Sequence, residues 1–147
     1  MFKHILVATD GSPLADKAVA TALTLSRNCG AKVTALMVVQ DYTTAQYASE
    51  VIKLGLAADE LREQLASQGR ERLDAVLERH DLANVAIERQ VAVADDAYEQ
   101  ILRHAAKGAC DLIVMASHGR GPVKAALLGS QTLHVLKYTQ VPVIVVR

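Results

Sequence analysis

The sequence lacks the features that typify membrane proteins, nucleic-acid binders and secreted proteins. Lys+Arg and Asp+Glu each number 16 in 147 residues, so the formal net charge is zero and the positive charge of a nucleic-acid or anionic-membrane binder is missing. No apolar run reaches the ~18 residues that would suggest a membrane span. The amino-terminal apolar stretch contains Lys3 and is too short for a signal peptide. We therefore expect a cytoplasmic protein that binds neither membranes nor nucleic acid.

Cysteine is scarce, and the motifs of several enzyme classes are absent. Cys29 and Cys110 lie far apart without a CxxC motif, which predicts buried thiols in a reducing compartment. The histidines show no HExxH or clustered ligand spacing, so we expect no metal site. There is no Walker A loop and no GxSxG elbow, and Gly119-x-Gly121 is only a fragment of GxGxxG. P-loop and serine-hydrolase chemistry therefore have no support.

The chain is long enough for one domain with a full core, and its apolar pattern alternates between strand and helix. The hydrophobic content is 51%, which is typical of a globular protein. Predicted strands cover 3–8, 32–39, 85–93, 111–116 and 142–146, and predicted helices cover 13–29, about 51–79, about 95–107 and 130–138. This alternation predicts an α/β fold: a doubly wound, mainly parallel, Rossmann-like sheet of five strands in the order 3-2-1-4-5, with helices on both faces. We expect residues 1–147 to form a single domain.

Local signals fix some helix ends better than others. Ser12 followed by Pro13 predicts the start of the first helix, and Gly30 predicts its end. Within the long predicted helix two glycines, at 55 and 69, each weaken the helix by about 1 kcal/mol relative to alanine. Residues 41–49 are polar and small without periodicity, and are a candidate mobile recognition element. The candidate core positions of the long helix are Leu54, Leu61, Leu65, Leu73 and Leu77.

Two polar, glycine-bearing loops follow the first and fourth predicted strands, at 9–12 and 117–121. In an open α/β sheet, ligands bind beyond the carboxyl ends of the strands where the strand order reverses, which here is between these two strands. Gly129 and Ser130 then open the last helix, whose N–H groups and positive dipole end attract an anion that glycine allows to approach closely. The sequence therefore predicts that both loops converge on one rim and bind the phosphates of a mononucleotide.

Each of these site residues also has a structural explanation. Asp10 could accept hydrogen bonds from a ribose hydroxyl or an exocyclic amine, or simply bond the backbone of its own turn. His118 could donate to a phosphate or be a solvent-exposed turn residue. Arg120 and Lys124 have the charge to face phosphates, although exposed cations are common on any surface. The Gly129 region could be a plain loop that closes onto a helix cap.

With these loops placed, the chain resembles a single-domain universal stress protein over essentially its whole length. ATP-binding members of that family carry G-x2-G-x9-G-[S/T], and this spacing is intact here. Gly119, Gly129 and Ser130 match the pattern, whereas Ala116 stands where the first glycine is expected. The segments that carry the resemblance are 5–12, 111–115, 117–120 and 141–147.

The resemblance implies ATP as the ligand, with Mg²⁺ carried by its phosphates. It also implies a homodimer through the C-terminal strand, which would protect a valine-rich sheet edge, and an unidentified protein partner. The residues it places around the base and ribose are Ala8, Thr9, Asp10, Val38, Met115 and Ala116. Those it places along the phosphates are His118, Gly119, Gly129, Ser130, Gln131 and Thr132, to which the charge of Arg120 adds a further candidate.

Ala116 is the departure with the clearest consequence. If position 116 requires a left-handed backbone, alanine costs about 1–2 kcal/mol. If the residue is still extended at the strand end, the only penalty is one methyl group near the sugar. Its position immediately after the apolar run favours the extended conformation, so we expect ATP affinity to be reduced without being lost.

The resemblance implies a regulatory, stress-response protein rather than an efficient enzyme. No residue stands out as a general base or an activated nucleophile, so we expect at most slow ATP hydrolysis or self-phosphorylation. A dimeric interaction protein of the same fold that does not bind nucleotide is the main alternative. A small nucleotidyl-transfer enzyme is a third hypothesis, but the substrate domain and histidine motif expected of one are not visible in the sequence.

Overall fold

The computed structural model describes residues 1–120 and 128–147. Within these residues a sheet of five strands has the order β3-β2-β1-β4-β5, and every neighbouring pair is parallel. The strands are β1 (His4–Ala8), β2 (Lys32–Gln40), β3 (Ile87–Ala94), β4 (Leu112–Ala116) and β5 (Val143–Val146). The predicted α/β fold and its strand order are therefore confirmed, and the order reverses between β1 and β4.

Helices cover both faces of the sheet. They are α1 (Pro13–Cys29), α2 (Thr44–Leu54), α3 (Ala58–Glu78), α4 (Ala97–Lys107) and α5 (Ser130–Tyr138). Helices α1 and α3 pack on one face, over a core that includes Val7, Val33 and Leu73. Helices α4 and α5 pack on the other face, over a core that includes Leu6 and Leu36. Alternate residues of β1, β2, β4 and β5 thus pack into opposite cores, as the two-residue period of a strand requires.

The first helix has the ends that its sequence predicts. Ser12 is the N-cap, its side chain accepts a hydrogen bond from the Ala15 N–H (3.2 Å), and Pro13 occupies the first helical position. Gly30 ends the helix with a left-handed backbone at φ 68°, which glycine adopts without steric cost. The Ser12 cap fixes where α1 begins after β1, and therefore where the first loop ends.

The prediction of one helix over 51–79 is wrong, because the chain forms two helices here. Gly55 takes a left-handed conformation at φ 67° and ends α2, and α3 begins afresh at Ala58. Most of the segment 41–49 is helical rather than irregular, because Thr43 and Gln46 form a capping box that starts α2. A strong start signal and a left-handed glycine thus replace the long helix with a short one and a turn.

The division also changes one predicted core position. Leu54 ends α2 with 54% of its surface exposed, so its assignment to the core is wrong. Helix α2 buries no residue fully. The other candidate core positions lie on α3 and are buried, as predicted: Leu61, Leu65, Leu73 and Leu77.

The cysteines are free and differ in their exposure. Cys110 is buried, and burial raises the pKa of its thiol to about 11, which keeps it protonated and unreactive at neutral pH. Cys29 is only half-buried, so the prediction of buried thiols is right for Cys110 alone. Across residues 1–120 and 128–147, the structure contains no helix long and apolar enough to cross a membrane.

Candidate functional site

The two loops predicted to converge do meet at the carboxyl ends of β1 and β4. Gly119 lies so close to Asp10 that a Cβ added at Gly119 would stand 2.5 Å from Asp10 Oδ2. Any larger residue at 119 would have to displace this carboxylate, so the close approach favours glycine here. The geometric premise of the sequence analysis, that both loops occupy one rim, is confirmed.

Beside these loops lies an open cleft with a cavity volume of about 140 Å³, on the face covered by α4 and α5. The amino-terminal ends of α4 and α5 form its walls, and the ends of β1, β2 and β4 form its floor. The predicted site residues that line it are Ala8, Thr9, Asp10, Val38, Met115, Ala116, His118, Gly119, Gln131 and Thr132. Sequence reasoning missed the lining residues Ala15, Leu36, Ala97 and Ile101.

The floor of the cleft is apolar. Leu36 and Val38 project from β2, Met115 projects from β4, and Ile101 faces them from α4. Leu36 and Val38 share a face of β2 because they are two residues apart, a relation that the sequence contains. Ile101 covers these residues because α4 packs over this rim. No local sequence signal predicts which helix packs there. Such a surface can accept a flat, largely apolar ring.

One carboxylate oxygen of Asp10 accepts a hydrogen bond within its own turn, and the other oxygen is directed toward the second loop. Its Oδ1 accepts a hydrogen bond from the Ser12 N–H (2.9 Å), while Oδ2 faces Gly119. The neighbouring Thr9 Oγ1 accepts from the Gly11 N–H (3.1 Å). The structural and the ligand-binding interpretations of Asp10 are therefore compatible, because a carboxylate has two oxygens and the turn uses one.

Ala116 has the conformation that the sequence analysis favoured. It is the last residue of β4, and it is not among the residues with positive φ, which apart from glycine are Asn84 and Ala109 in the described chain. Its carbonyl accepts a hydrogen bond from Thr132 Oγ1 (3.0 Å), which ties the strand end to α5. Alanine therefore incurs no left-handed penalty here, and its effect is limited to a methyl group on the cleft wall.

Helix α5 begins at the cleft without a side-chain cap. Its N-cap is Gly129, whose N–H donates to the Ser117 carbonyl (2.7 Å), and exposed Ser130 is the first helical residue. A Cβ added at Gly129 would lie 3.4 Å from His118 Cα, which is an ordinary contact. Packing against the residues that the structure describes therefore does not demand glycine at 129. Neither Gly129 nor Ser130 lines the cleft itself; both lie at its edge.

Arg120 is directed away from the cleft. Its terminal nitrogen lies 3.1 Å from the position of a Cβ added at Gly11, which itself lies near Val76 of α3. Arg72, also on α3, donates to the Asp10 carbonyl (3.2 Å), a contact that sequence reasoning missed and that no local motif signals. Among the described residues, no lysine or arginine lines the cleft. Lys124, the other predicted cation, lies outside the described residues.

Among the described lining residues, His118 is the ionisable side chain that accompanies Asp10 in the cleft. Its Nδ1 lies 3.2 Å from Ser117 Oγ, so the ring is oriented by its neighbour in the same loop.

Within residues 1–120 and 128–147, no three His, Cys, Asp or Glu side chains are grouped so that they could hold a metal ion. The arrangement is therefore that of a cleft with an apolar floor, two polar loops and two helix N-termini.

Comparison with known proteins gives a consistent result. A model of the Universal stress protein family matches residues 1–147. Universal stress protein YxiE of Bacillus subtilis is 32% identical, and the match covers 100% of both chains. A universal stress protein of Thermus aquaticus is 36% identical, again over 100% of both chains. The solved structure of MJ0577, from Methanocaldococcus jannaschii, is 27% identical, with a TM-score of 0.80 over 99% of this chain and 96% of the other. The chain belongs to the universal stress protein family.

Proposed function

We propose that this protein binds ATP in the cleft and acts as a regulatory homodimer of the stress response, with at most slow ATP hydrolysis or self-phosphorylation. The observation that carries the proposal is the convergence of the β1 and β4 loops, with Gly119 packed against Asp10, beside an apolar floor and two helix N-termini. We further propose that it acts in the cytoplasm through a protein partner.

The apolar floor suits an adenine ring. A base lying between Val38 and Ile101 would remove apolar surface from water on both of its faces. Asp10 Oδ2 is then placed to accept a hydrogen bond from a ribose hydroxyl, because its other oxygen is held by the Ser12 N–H. The base and sugar would thus be bound by shape and by one oriented acceptor.

The phosphates would lie over the start of α5. The first N–H groups of a helix have no partner within the helix, and the helix dipole adds partial positive charge there. Packing against residues 1–120 and 128–147 does not require glycine at 129, and among these residues its missing side chain leaves the approach to the N–H groups open. The described residues include no cluster that could hold a cation, so we propose that Mg²⁺ is carried by the phosphates themselves.

Two structures of the same fold support an adenine nucleotide as the ligand. One is a universal stress protein in complex with cAMP, 21% identical with a TM-score of 0.62. The other is the universal stress protein from Archaeoglobus fulgidus in complex with dAMP, 17% identical with a TM-score of 0.59. These ligands belong to those proteins, and they differ in their phosphate groups.

The proposed dimer would use the free edge of β5. Strand β5 pairs with β4 along one side, and no described strand covers its other side, so its backbone groups can pair with a second chain. Leu133 and Leu136 of α5 are 52% and 40% exposed and extend the apolar surface. Light scattering after gel filtration should give twice the mass of one chain. The mass of a single chain would contradict this part of the proposal.

Calorimetry with Mg-ATP tests the proposed ligand. We expect micromolar affinity, roughly −7 to −8 kcal/mol. Gly129→Asp should abolish binding, because a carboxylate would stand where the phosphates approach α5. Gly129→Ala is the matched control, because its methyl group meets only ordinary contacts among the described residues and carries no charge. Equal affinity in the aspartate and alanine variants would show that phosphate does not bind here.

The methyl group of Ala116 on the cleft wall favours a second candidate function, a dimeric interaction protein that does not bind nucleotide. Ala116→Gly separates the two. If the native chain binds no ATP and Ala116→Gly does, the second function is correct and the methyl group is its cause. If both bind and the glycine variant binds only a few-fold more tightly, the first function holds.

A further inference from the structure

Gln131 forms a bridge between the two helices that wall the cleft. It is the second residue of α5, and its Oε1 lies 2.8 Å from the backbone nitrogen of Tyr98, near the start of α4. The hydrogen bond joins residues 33 apart in sequence and is partly buried. Gln131 also lines the cleft, as do Ala97 and Ile101 of α4. The bond therefore links one wall of the candidate site to the other.

This bond replaces a cap that α4 does not provide for itself. The N-cap residue, Asp96, makes no side-chain hydrogen bond to the first turn. The N–H groups of a first turn have no partner within their own helix, and Tyr98 carries one of them. Gln131 supplies the missing acceptor from another helix. Stacking of the Tyr98 and His134 rings (centroids 4.6 Å apart, planes at 24°) packs the two helices beside this bond.

The chemistry of the bond determines what Gln131 can offer a ligand. The Tyr98 N–H can only donate, so the atom that meets it must be the carbonyl oxygen of the amide. The remaining polar group of the side chain is the –NH₂, which is a donor with no acceptor capacity. A ligand that contacts it must present an acceptor, and the oxygens of a phosphate group are strong acceptors.

We propose that Gln131 is a positioning and specificity-determining residue: its carbonyl caps α4 and holds that helix against the cleft, and its amide nitrogen selects ligands that bear a phosphate group. The selectivity depends on the proposed nucleotide function, whereas the cap does not. Because one side chain performs both tasks, the phosphate end of the cleft and the wall of the base pocket are mechanically joined.

Two substitutions separate the tasks. Gln131→Glu keeps an acceptor for Tyr98 but replaces the donor by a second, negatively charged oxygen. Gln131→Met has similar length and provides neither group. Gln64→Glu and Gln64→Met, on the exposed surface of α3, are matched controls for the change of charge and of side-chain type. Amide exchange measured by NMR in the absence of nucleotide tests the cap first.

The Tyr98 amide should exchange several-fold faster in Gln131→Met than in the native chain, and at the native rate in Gln131→Glu and in both controls. Equal Tyr98 exchange in the native chain and Gln131→Met would overturn the cap. This measurement needs no ligand, so it decides the cap even if the protein binds no nucleotide.

Calorimetry with Mg-ATP and with adenosine then tests selectivity. Gln131→Glu should bind ATP at least tenfold more weakly, while its affinity for adenosine stays within twofold of the native chain. Gln131→Met should weaken both ligands, because α4 is no longer held. Native ATP affinity in Gln131→Glu would overturn the selectivity. A native chain that binds neither ligand would overturn the proposed function and the selectivity together, and leave the cap standing.

Discussion

The two rims of the sheet use polar side chains in different ways. At the amino rim the side chains bond to one another across strands. His4 Nδ1 donates to the Gly108 carbonyl (2.8 Å), and His4 Nε2 lies 2.8 Å from Thr34 Oγ1 on the next strand. Asp111 accepts hydrogen bonds from the backbone N–H groups of Lys3 and His4. These contacts join elements that are far apart in sequence.

At the carboxyl rim the polar side chains of the loop after β1 bond within their own turn. Asp10 bonds to Ser12 and Thr9 bonds to Gly11, each two residues away. Gly119 and Ala116, which line the space between the loops in the described part of the chain, are small and leave a cleft there. The comparison teaches that one rim stabilises the sheet, whereas the other maintains a cavity. Substitutions at the amino rim should therefore change stability, and those at the carboxyl rim should change binding.

The largest expected effect is on stability, from Asp111→Ala at the amino rim. The substitution leaves two backbone N–H groups without their acceptor, one of them partly buried, and should lower the free energy of unfolding by about 1–3 kcal/mol. Urea unfolding monitored by circular dichroism measures this change. ATP affinity should stay within twofold of native. A variant of native stability, or one that loses ATP affinity while folded, would contradict the division between the rims.

Gly119→Ala should have the opposite profile. The added methyl group would stand 2.5 Å from Asp10 Oδ2 and must displace that carboxylate from the cleft edge. We expect ATP affinity to fall about tenfold, or roughly 1.4 kcal/mol. The unfolding free energy should change by less than this, since the displaced group is the end of a side chain. Calorimetry and urea unfolding on the same sample compare the two effects, and unchanged affinity would refute the prediction.

A smaller effect should appear in acid. Burial opposes the ionisation of Asp111, but hydrogen bonds from Lys3 and His4 outweigh it, and its pKa lies below the ordinary value of 3.8. A lowered folded-state pKa stabilises the fold above pH 3.8, and this contribution disappears as the pH falls through the folded-state value. Asp111→Asn should therefore flatten the loss of stability below pH 3.8. Urea unfolding at a series of pH values tests this, and parallel curves for both proteins would contradict it.

Much of the fold was predictable because its signals are local. The Ser12-Pro13 start and the Gly30 end of α1 need no tertiary information. The division between α2 and α3 was not predictable in the same way, because the apolar period continues through Gly55 and only its left-handed backbone ends the helix. Gly69 shows the converse. A Cβ there would lie 2.6 Å from Val39, so this glycine inside α3 allows close packing on the sheet and is not a break.

The site was predictable where strand order determines it. Once β1 and β4 are neighbours, the loops that contain Asp10 and Gly119 must share a rim. The direction of Arg120, toward Gly11 and away from the cleft, depends on side-chain packing that charge alone does not reveal. Ile101 likewise enters the cleft only because α4 crosses this particular rim. The sequence thus predicted the position of the cleft but not all of the residues that line it.

The most direct test of the central claim is an NMR titration of ¹⁵N-labelled protein with Mg-ATP. If ATP binds between the two loops, the backbone amide shifts of Asp10, Gly119 and Ser130 should change together along one saturating curve. The amides of His4, Lys32 and Asp111, at the opposite rim, should keep their positions. Saturating shifts confined to the opposite rim, or no shifts at millimolar Mg-ATP, would contradict the account.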